Sequence, residues 1–398
     1  MTSTGTVITW AALGVYALVV ASWWFRHILI SLTRPLGWYV SPAVDIADAP
    51  SVSVVIPARN ERDRIAGCVE TLLAQGAVLK EIIVVDDRSD DQTAEIALQA
   101  AGGDPRVRIV RIDDLPAGWA GKAHACQRGG EAATADWILF ADADCRFRNG
   151  GIAGAASYAK EQDVDFLSLW LAADNRTFWE HMLIPLCGAI ILLWFPPIRA
   201  NRPQASTAFA NGQFILVRRD AYRRIGGHEC SREAVIEDIP LARHAKRSGL
   251  RLRTAVGPGI ASVRMYTGFR EVWNGWTRIY VGALQSKGKM LASVASLIGG
   301  SLLPSFGAPV AAVWIASAGW PLSHGGQILY VLLLLHFIAL YSVSLRLWGL
   351  CRCARRYLLL YPVSVFLTMG ILLRAWWWMV TSRPIIWRGT VTGRRPAG

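Results

Sequence analysis

The sequence lacks both glycine motifs that commonly mark a nucleotide site in an α/β protein: no Gly-x-Gly-x-x-Gly follows the first strand-like run, and there is no Walker loop. A dinucleotide fold and a P-loop NTPase are thereby set aside. It also lacks a paired cysteine framework. Its seven cysteines are scattered and odd in number, which fits buried thiols in a reduced compartment and not a disulfide scaffold. Cys351 and Cys353 flank a single arginine, too close for a zinc pair, and no second pair accompanies them. No finger, basic helix or RNA-binding motif occurs, so the excess of 42 Lys and Arg over 29 Asp and Glu is not the footprint of a nucleic acid polymer. Charge is sparse, at 18% of residues.

What is abundant is apolar. The 398 residues are 53% hydrophobic with 18 Trp, and the mean hydropathy is +0.30, the composition of a membrane protein. A formal charge of +13 in such a protein marks cytoplasmic surfaces near anionic headgroups. Val7 to Phe25 is long and uncharged enough to cross a bilayer, with Trp23 and Trp24 at its end and Arg26, His27 and Arg34 after it. The basic residues follow the apolar run, so an uncleaved anchor is expected, with the next segment in the cytoplasm.

The domain reading is a transmembrane anchor (1–27), a linker (28–50), a cytoplasmic α/β domain (51–265), an interfacial amphipathic helix (266–289), transmembrane helices (290–381) and a basic tail (382–398). In the last part, Leu291–Trp314, Gln327–Trp348 and Tyr357–Val380 are span-like. Three crossings would carry Arg383, Arg388, Arg394 and Arg395 outside, against the charge rule. Either the final segment turns back, at Pro362, Gly370 and Arg374, or the Gly and Pro residues near Leu303 break the first in two.

Within the soluble part, strands alternate with helices, and each strand ends in polar residues. Val52–Ile56 runs into Pro57, Ala58, Arg59, Asn60 and Glu61. Glu81–Val85 runs into Asp86 and Asp87. Val107–Arg111 is a third strand, and Trp137–Phe140 a fourth, ending in Asp142, Ala143 and Asp144. Two carboxylates one residue apart, past a buried strand, can share a divalent cation that carries phosphate oxygens. Asp165–Leu171 and Phe209–Val217 read as further strands. Glu237 and Asp238 then precede a helical pattern in Ile239, Leu241, Ala242 and Ala245.

The phrases VVIPARNE (54–61), IIVVDDRSDDQT (82–93) and FADAD (140–144), in that order and ahead of a further acidic pair, resemble the nucleotide-sugar signatures of family 2 glycosyltransferases. That resemblance implies the GT-A fold, a mixed and mostly parallel sheet, here with α-helical transmembrane segments at both ends. It implies a nucleotide-sugar donor, held by Asp87 with Pro57 and Glu61 beside it, and Mg2+ or Mn2+ on Asp144, with Asp142 touching the nucleotide or a metal-bound water. It implies Asp238 as the base of an inverting displacement, with Glu237 orienting the loop or donating to the acceptor. LPAGWAGKAHACQRG (115–129) is similar to the subgroup that glycosylates terpenoid lipids, the hopanoid-associated and carotenoid-acid glycosyltransferases. Its Lys122 sits where a diphosphate could be met.

The acceptor side is expected at Trp273, Trp276 and Arg278. Trp273, Trp276 and Tyr280 recur on one helix face with basic neighbours, as on an amphipathic helix at a headgroup surface. His228, in a flexible loop, is a weaker acceptor-side candidate, and a merely structural histidine is the better reading there. Phe178–Ile198 is apolar but broken by Pro185, Gly188, Pro196 and Pro197, and is expected to lie in or dip into the bilayer surface. WNGWTRIY (273–280) departs from the Gln-x-x-Arg-Trp of processive synthases, which argues against chain synthesis. The expectation is a multi-pass enzyme of a bacterial-type inner (plasma) membrane. It would move a hexose from a UDP-sugar to a membrane lipid acceptor. The alternatives are a polyprenyl-phosphate sugar or polysaccharide synthase of the same family, and an inactive membrane scaffold.

Overall fold

Why the first half forms an open sheet follows from its apolar runs. Val52–Ala58 (β1), Leu79–Asp87 (β2) and Trp137–Ala141 (β4) are buried on both faces, as strands covered by helices on each side must be. The computed structural model describes residues 3–32, 37–43, 49–318, 323–383, 385–387 and 390–392. Between these strands run α2 (Ile65–Leu73), α3 (Thr93–Ala101), β3 (Val107–Ile112) and α4 (Gly121–Ala132). Helix α2 buries Ile65, Cys68, Val69 and Leu72, a single stripe at helical spacing. After β4 come β5 (Cys145–Phe147), α5 (Gly151–Glu161), β6 (Phe166–Trp170), β7 (Ala172–Ala173), α6 (Phe178–Trp194) and α7 (Pro197–Ala200). Then follow β8 (Phe214–Arg218), α8 (Arg219–Arg224), α9 (Asp238–Arg247), β9 (Leu252–Val256) and β10 (Ala261–Val263).

The strand order is β3-β2-β1-β4-β8-β6-β9. β1 lies parallel to β2 and β4, and β2 to β3. Only β8 runs against its neighbours, β4 and β6, so the sheet is mixed and mostly parallel. The parallel register brings the carboxyl ends of β1, β2 and β4 to one edge, where such sheets bind ligands. A small sheet has the order β5-β10-β7, and its β5 follows directly on the loop after β4.

Helices form the rest: α1 (Ser3–Ser31) at the start and α10 (Phe269–Leu284), α11 (Lys287–Leu297), α12 (Leu303–Ala318), α13 (His324–Leu350) and α14 (Tyr361–Val380) at the end. A hairpin of β11 (Ile385–Trp387) and β12 (Thr390–Thr392) follows. Five described segments are long and apolar enough to cross a membrane: Val7–Ile28, Phe178–Ala200, Lys287–Ser317, His324–Leu350 and Arg355–Val380. α1 joins α13 through Tyr16 and His336, at 3.0 Å, and through Ser342 and His27, at 3.0 Å.

Several expectations change here. α14 runs unbroken, with Pro362 in its first turn where a missing N–H costs nothing. Gly370 does not turn it back. A Cβ there would come within 2.7 Å of the Trp273 ring, so the glycine makes room for that side chain. The irregularity sits at Ile298–Leu302 instead, a π-helical turn that joins α11 to α12. Arg374 finds its partner in the Asn274 side-chain amide oxygen, Oδ1, to which it donates at 2.6 Å. Arg34, Arg388, Arg394 and Arg395 lie outside the described residues.

The helix from Phe178 packs one face on α10 and α14, with Met182, Leu183, Leu186, Cys187, Ile190 and Ile191 buried, and leaves Phe178 exposed at its start. The Tyr280 hydroxyl donates to the Cys187 carbonyl at 3.2 Å. For the same reason the aromatic face of α10 is not a headgroup face: Trp276 is 6% and Tyr280 0% exposed. A stripe at three-and-four spacing suits a protein core as well as it suits a bilayer surface.

Candidate active site

A cavity of about 1640 Å³ opens at the carboxyl ends of β1 and β4. Its wall at this end carries Pro57, Glu61, Lys122, Asp142, Asp144, Glu237 and Asp238. The same cavity continues along α6, past Ile184 and Leu192, to Trp23 and Arg26 of α1 and Leu347 of α13. The carboxylate pairs and the helices able to cross a membrane therefore border a single space.

The two acidic pairs are joined by one ammonium. Lys122 Nζ, at the start of α4, lies 2.8 Å from Asp142 Oδ1 and 2.8 Å from Glu237 Oε1. Burial alone would push this lysine down, but the two carboxylates outweigh it and hold it well above its ordinary value. Burial likewise raises the Glu237 carboxyl, and Lys122 outweighs it, so Glu237 stays ionised.

Asp238 is the first residue of α9, where the helix dipole favours a carboxylate. Its Oδ2 accepts from the Gly212 backbone N–H at 2.9 Å, and its Oδ1 from that of Ile239 at 2.7 Å. Burial and then the Glu237 charge still push its carboxyl up to about 7. A carboxylate poised there can take up a proton near neutral pH.

Asp144 differs in having a buried oxygen, Oδ1, with no protein partner. Burial and then the Asp142 charge push its carboxyl up to about 7. An adjacent cation would remove that cost. Among the described residues no group of three or more His, Cys, Asp or Glu side chains forms a cage. Two hard carboxylates with an orphan oxygen fit a magnesium-like ion whose other ligands come from phosphate and water.

Of the residues expected at the site, the fold brings Pro57, Glu61, Lys122, Asp142, Asp144, Glu237, Asp238, Trp276 and Arg278 to one cavity. Three stand apart from its described wall. Asp87 is 2% exposed, accepts from Arg88 Nε at 2.8 Å, lies 3.8 Å from Arg59 Nη1, and is covered by the start of α4 at Gly121. Its Oδ1 accepts from Arg88, while its buried Oδ2, 3.8 Å from Arg59, accepts no hydrogen bond from the protein. Trp273 packs on α14 at Gly370. His228 is 0% exposed, with Nδ1 2.8 Å from the Tyr222 hydroxyl and its ring edge-on to Phe140, and burial pushes it down to about 4. It is a buried core histidine set back from the cavity wall, in line with the structural reading of this residue.

The sequence reading missed the turn that serves Asp238. Phe209–Val217 was expected to be one strand, but β8 begins at Phe214, and Asn211-Gly212 forms a turn over the carboxylates. A Cβ at 212 would come within 3.0 Å of Glu237 Oε1, 3.2 Å of Lys122 Nζ and 3.3 Å of Asp238 Oδ2. A side chain there would press on all three charged groups, and glycine spares them that contact. The Asn-Gly pair was the available signal.

Residues 53–226 match the family described as Glycosyl transferase family 2. Among curated relatives, a 4,4'-diaponeurosporenoate glycosyltransferase of Staphylococcus haemolyticus (strain JCSC1435) is 31% identical over 239 residues, covering 58% of this chain and 62% of that one. One of Staphylococcus aureus (strain MRSA252) is 28% identical over 266 residues, covering 65% of this chain and 68% of that one. The chain thus spans somewhat less than two thirds of the first relative's length. Among solved structures, a mannosyltransferase from Pyrobaculum calidifontis in complex with GDP-Man and Mn2+ superposes with a TM-score of 0.53 at 17% identity, covering 93% of this chain and 99% of that one. That likeness concerns the fold.

Proposed function

We propose that this chain, which carries a domain of glycosyl transferase family 2, is a membrane-bound, inverting, metal-dependent hexosyltransferase that uses a UDP-sugar and a terpenoid lipid acceptor of the carotenoid-acid type. The observation that carries the reading is the single cavity that holds the acidic pairs at one end and reaches α1, α6 and α13 at the other. A water-soluble donor and a membrane-dissolved acceptor need such a shared space. Few drug-sized pockets exceed roughly 1,000 Å³, and this one is large enough for two ligands at once.

Asp144 and Asp142 would hold the divalent ion, Mg2+ or Mn2+, which when bound neutralises charge on the departing diphosphate. Lys122, held beside Asp142, would orient the diphosphate by charge. Asp238, fixed by the Gly212 and Ile239 N–H groups, removes the proton of a hydroxyl acceptor as its oxygen attacks the anomeric carbon from the opposite face. A carboxylic acid acceptor is already ionised near neutral pH and needs no such help. Glu237 keeps Lys122 between the two pairs. The α/β domain faces the cytoplasm of a bacterial inner membrane, with Arg26, His27, Arg346, Arg352, Arg355 and Arg356 on that side.

The test is transfer of radiolabelled sugar from UDP-glucose into total lipid extract by the full chain in detergent, with and without manganese. Label in a single lipid species that depends on the metal is expected. A long polymeric product would favour the synthase reading. No label with any nucleotide sugar, together with no nucleotide binding, would end the enzymatic one.

A further inference from the structure

The middle of α6 carries a glycine that no protein neighbour explains. A glycine inside a helix weakens it relative to alanine, because the unfolded chain gains freedom there and no side chain is buried. In other helices of this protein close packing requires it. A Cβ on Gly129 would come within 2.2 Å of Val55, on Gly275 within 2.3 Å of Tyr266, and on Gly282 within 2.8 Å of Ile236. A Cβ on Gly188 would meet nothing within 4 Å. Gly14, Gly299 and Gly349 are equally free, but none of them borders the cavity, as Gly188 does.

Helix geometry gives the direction of that free position. Successive residues turn by about 100°, so Ile184, Pro185 and Leu192 lie within about 60° of Gly188 round the axis, and all three line the cavity. Leu183, Leu186 and Ile190 lie on the opposite side, and they are buried in the apolar core shared with α10 and α14. The open side of Gly188 is therefore the cavity side. Val343 and Leu347 of α13 border the same cavity, and so do the carboxylates.

We infer that Gly188 is a specificity-determining position: its missing side chain keeps open the width in which the hydrocarbon tail of the acceptor lies along α6. The inference rests on the glycosyl-transfer reading and deepens its acceptor end. Ile184, Leu192, Val343 and Leu347 offer such a tail apolar contact. A side chain at 188 would occupy the volume that the tail needs, so the effect should grow with side-chain size. The donor, held at the carboxylates, should not notice the change.

The test uses the full chain in detergent with 4,4'-diaponeurosporenoate as the tail-bearing probe. Its binding is followed by the change in its visible absorption, and sugar transfer from UDP-glucose by label. Gly188→Ala, Gly188→Leu and Gly188→Trp should weaken polyene binding in increasing order, by roughly tenfold to a hundredfold for the last, while affinity for UDP with Mn2+ stays within about twofold. Gly188→Ala should leave Tm unchanged or raise it, since alanine favours the helix and meets no neighbour. Polyene binding within about twofold of wild type in Gly188→Trp would overturn the inference, as would a wild type that binds no polyene. A lowered Tm in Gly188→Ala, with polyene and UDP binding lost together, would also overturn it, because it marks a packing glycine. If Gly188→Trp does not fold, Gly188→Leu decides by the same criterion. A wild type that binds the polyene, weakened by Gly188→Trp, yet transfers no sugar to it would fail the parent reading and leave the inferred tail path standing.

Discussion

The two acidic pairs of this protein have nearly the same composition and opposite surroundings. Asp142 and Asp144 follow a buried strand, and Asp144 keeps an oxygen with no protein partner. Glu237 and Asp238 open a helix, and both Asp238 oxygens accept backbone N–H groups. The first pair keeps an unfilled position, which the proposed reading gives to a cation. The second is fixed by the protein, which the proposed reading uses to hold a base in place for a hydroxyl acceptor. Lys122 is the only ammonium seen to join them among the described residues, at 2.8 Å from each side.

The comparison can be broken from either side. The largest effect is expected for Asp144→Asn, which should lower label transfer on the order of 10³-fold, because several kcal/mol of charge neutralisation depends on the ion. Removing manganese should mimic it. Lys122→Met leaves Glu237 buried and uncompensated, and should destabilise the α/β domain by about 3–5 kcal/mol, read as a lowered Tm in detergent.

Asp238→Asn separates the two acceptor chemistries. With a hydroxyl acceptor the loss should be about 10²–10⁴-fold, and with a carboxylate far less than for Asp144→Asn. The pH profile gives the same answer by sign. A base must be deprotonated, and Asp238 is pushed up to about 7, so activity on a hydroxyl should rise as pH rises through about 7. Activity on a carboxylate should show no such limb from this residue. The smallest effect lies outside the pairs. Gly370→Ala crowds Trp273 and should cost about 1–3 kcal/mol of stability, with KM for the donor unchanged.

How much of this was legible beforehand follows from what each signal encodes. Strands β1, β2 and β4 and the acids at their ends could be read because an apolar run buried on both faces stops abruptly at polar residues. The helix opening at Asp238 could be read from Ile239, Leu241, Ala242 and Ala245. The bridge through Lys122 could not, since it joins three segments that only the folded sheet brings together. Nor could the fate of the α10 aromatics, whose spacing is the same whether the face meets lipid or α6 and α14. His228 could be read as structural, but its partners, Tyr222 and Phe140, are set by packing that the sequence does not spell out. The close backbone at Gly212 was written in an Asn-Gly pair that a strand reading passed over.

The most direct test of a divided acidic site is Mn2+ binding in the presence of UDP, followed by electron paramagnetic resonance on wild type, Asp144→Asn and Asp238→Asn. The account predicts bound manganese in the wild type and in Asp238→Asn, and none in Asp144→Asn. Manganese retained by Asp144→Asn, or lost equally in both variants, would contradict it.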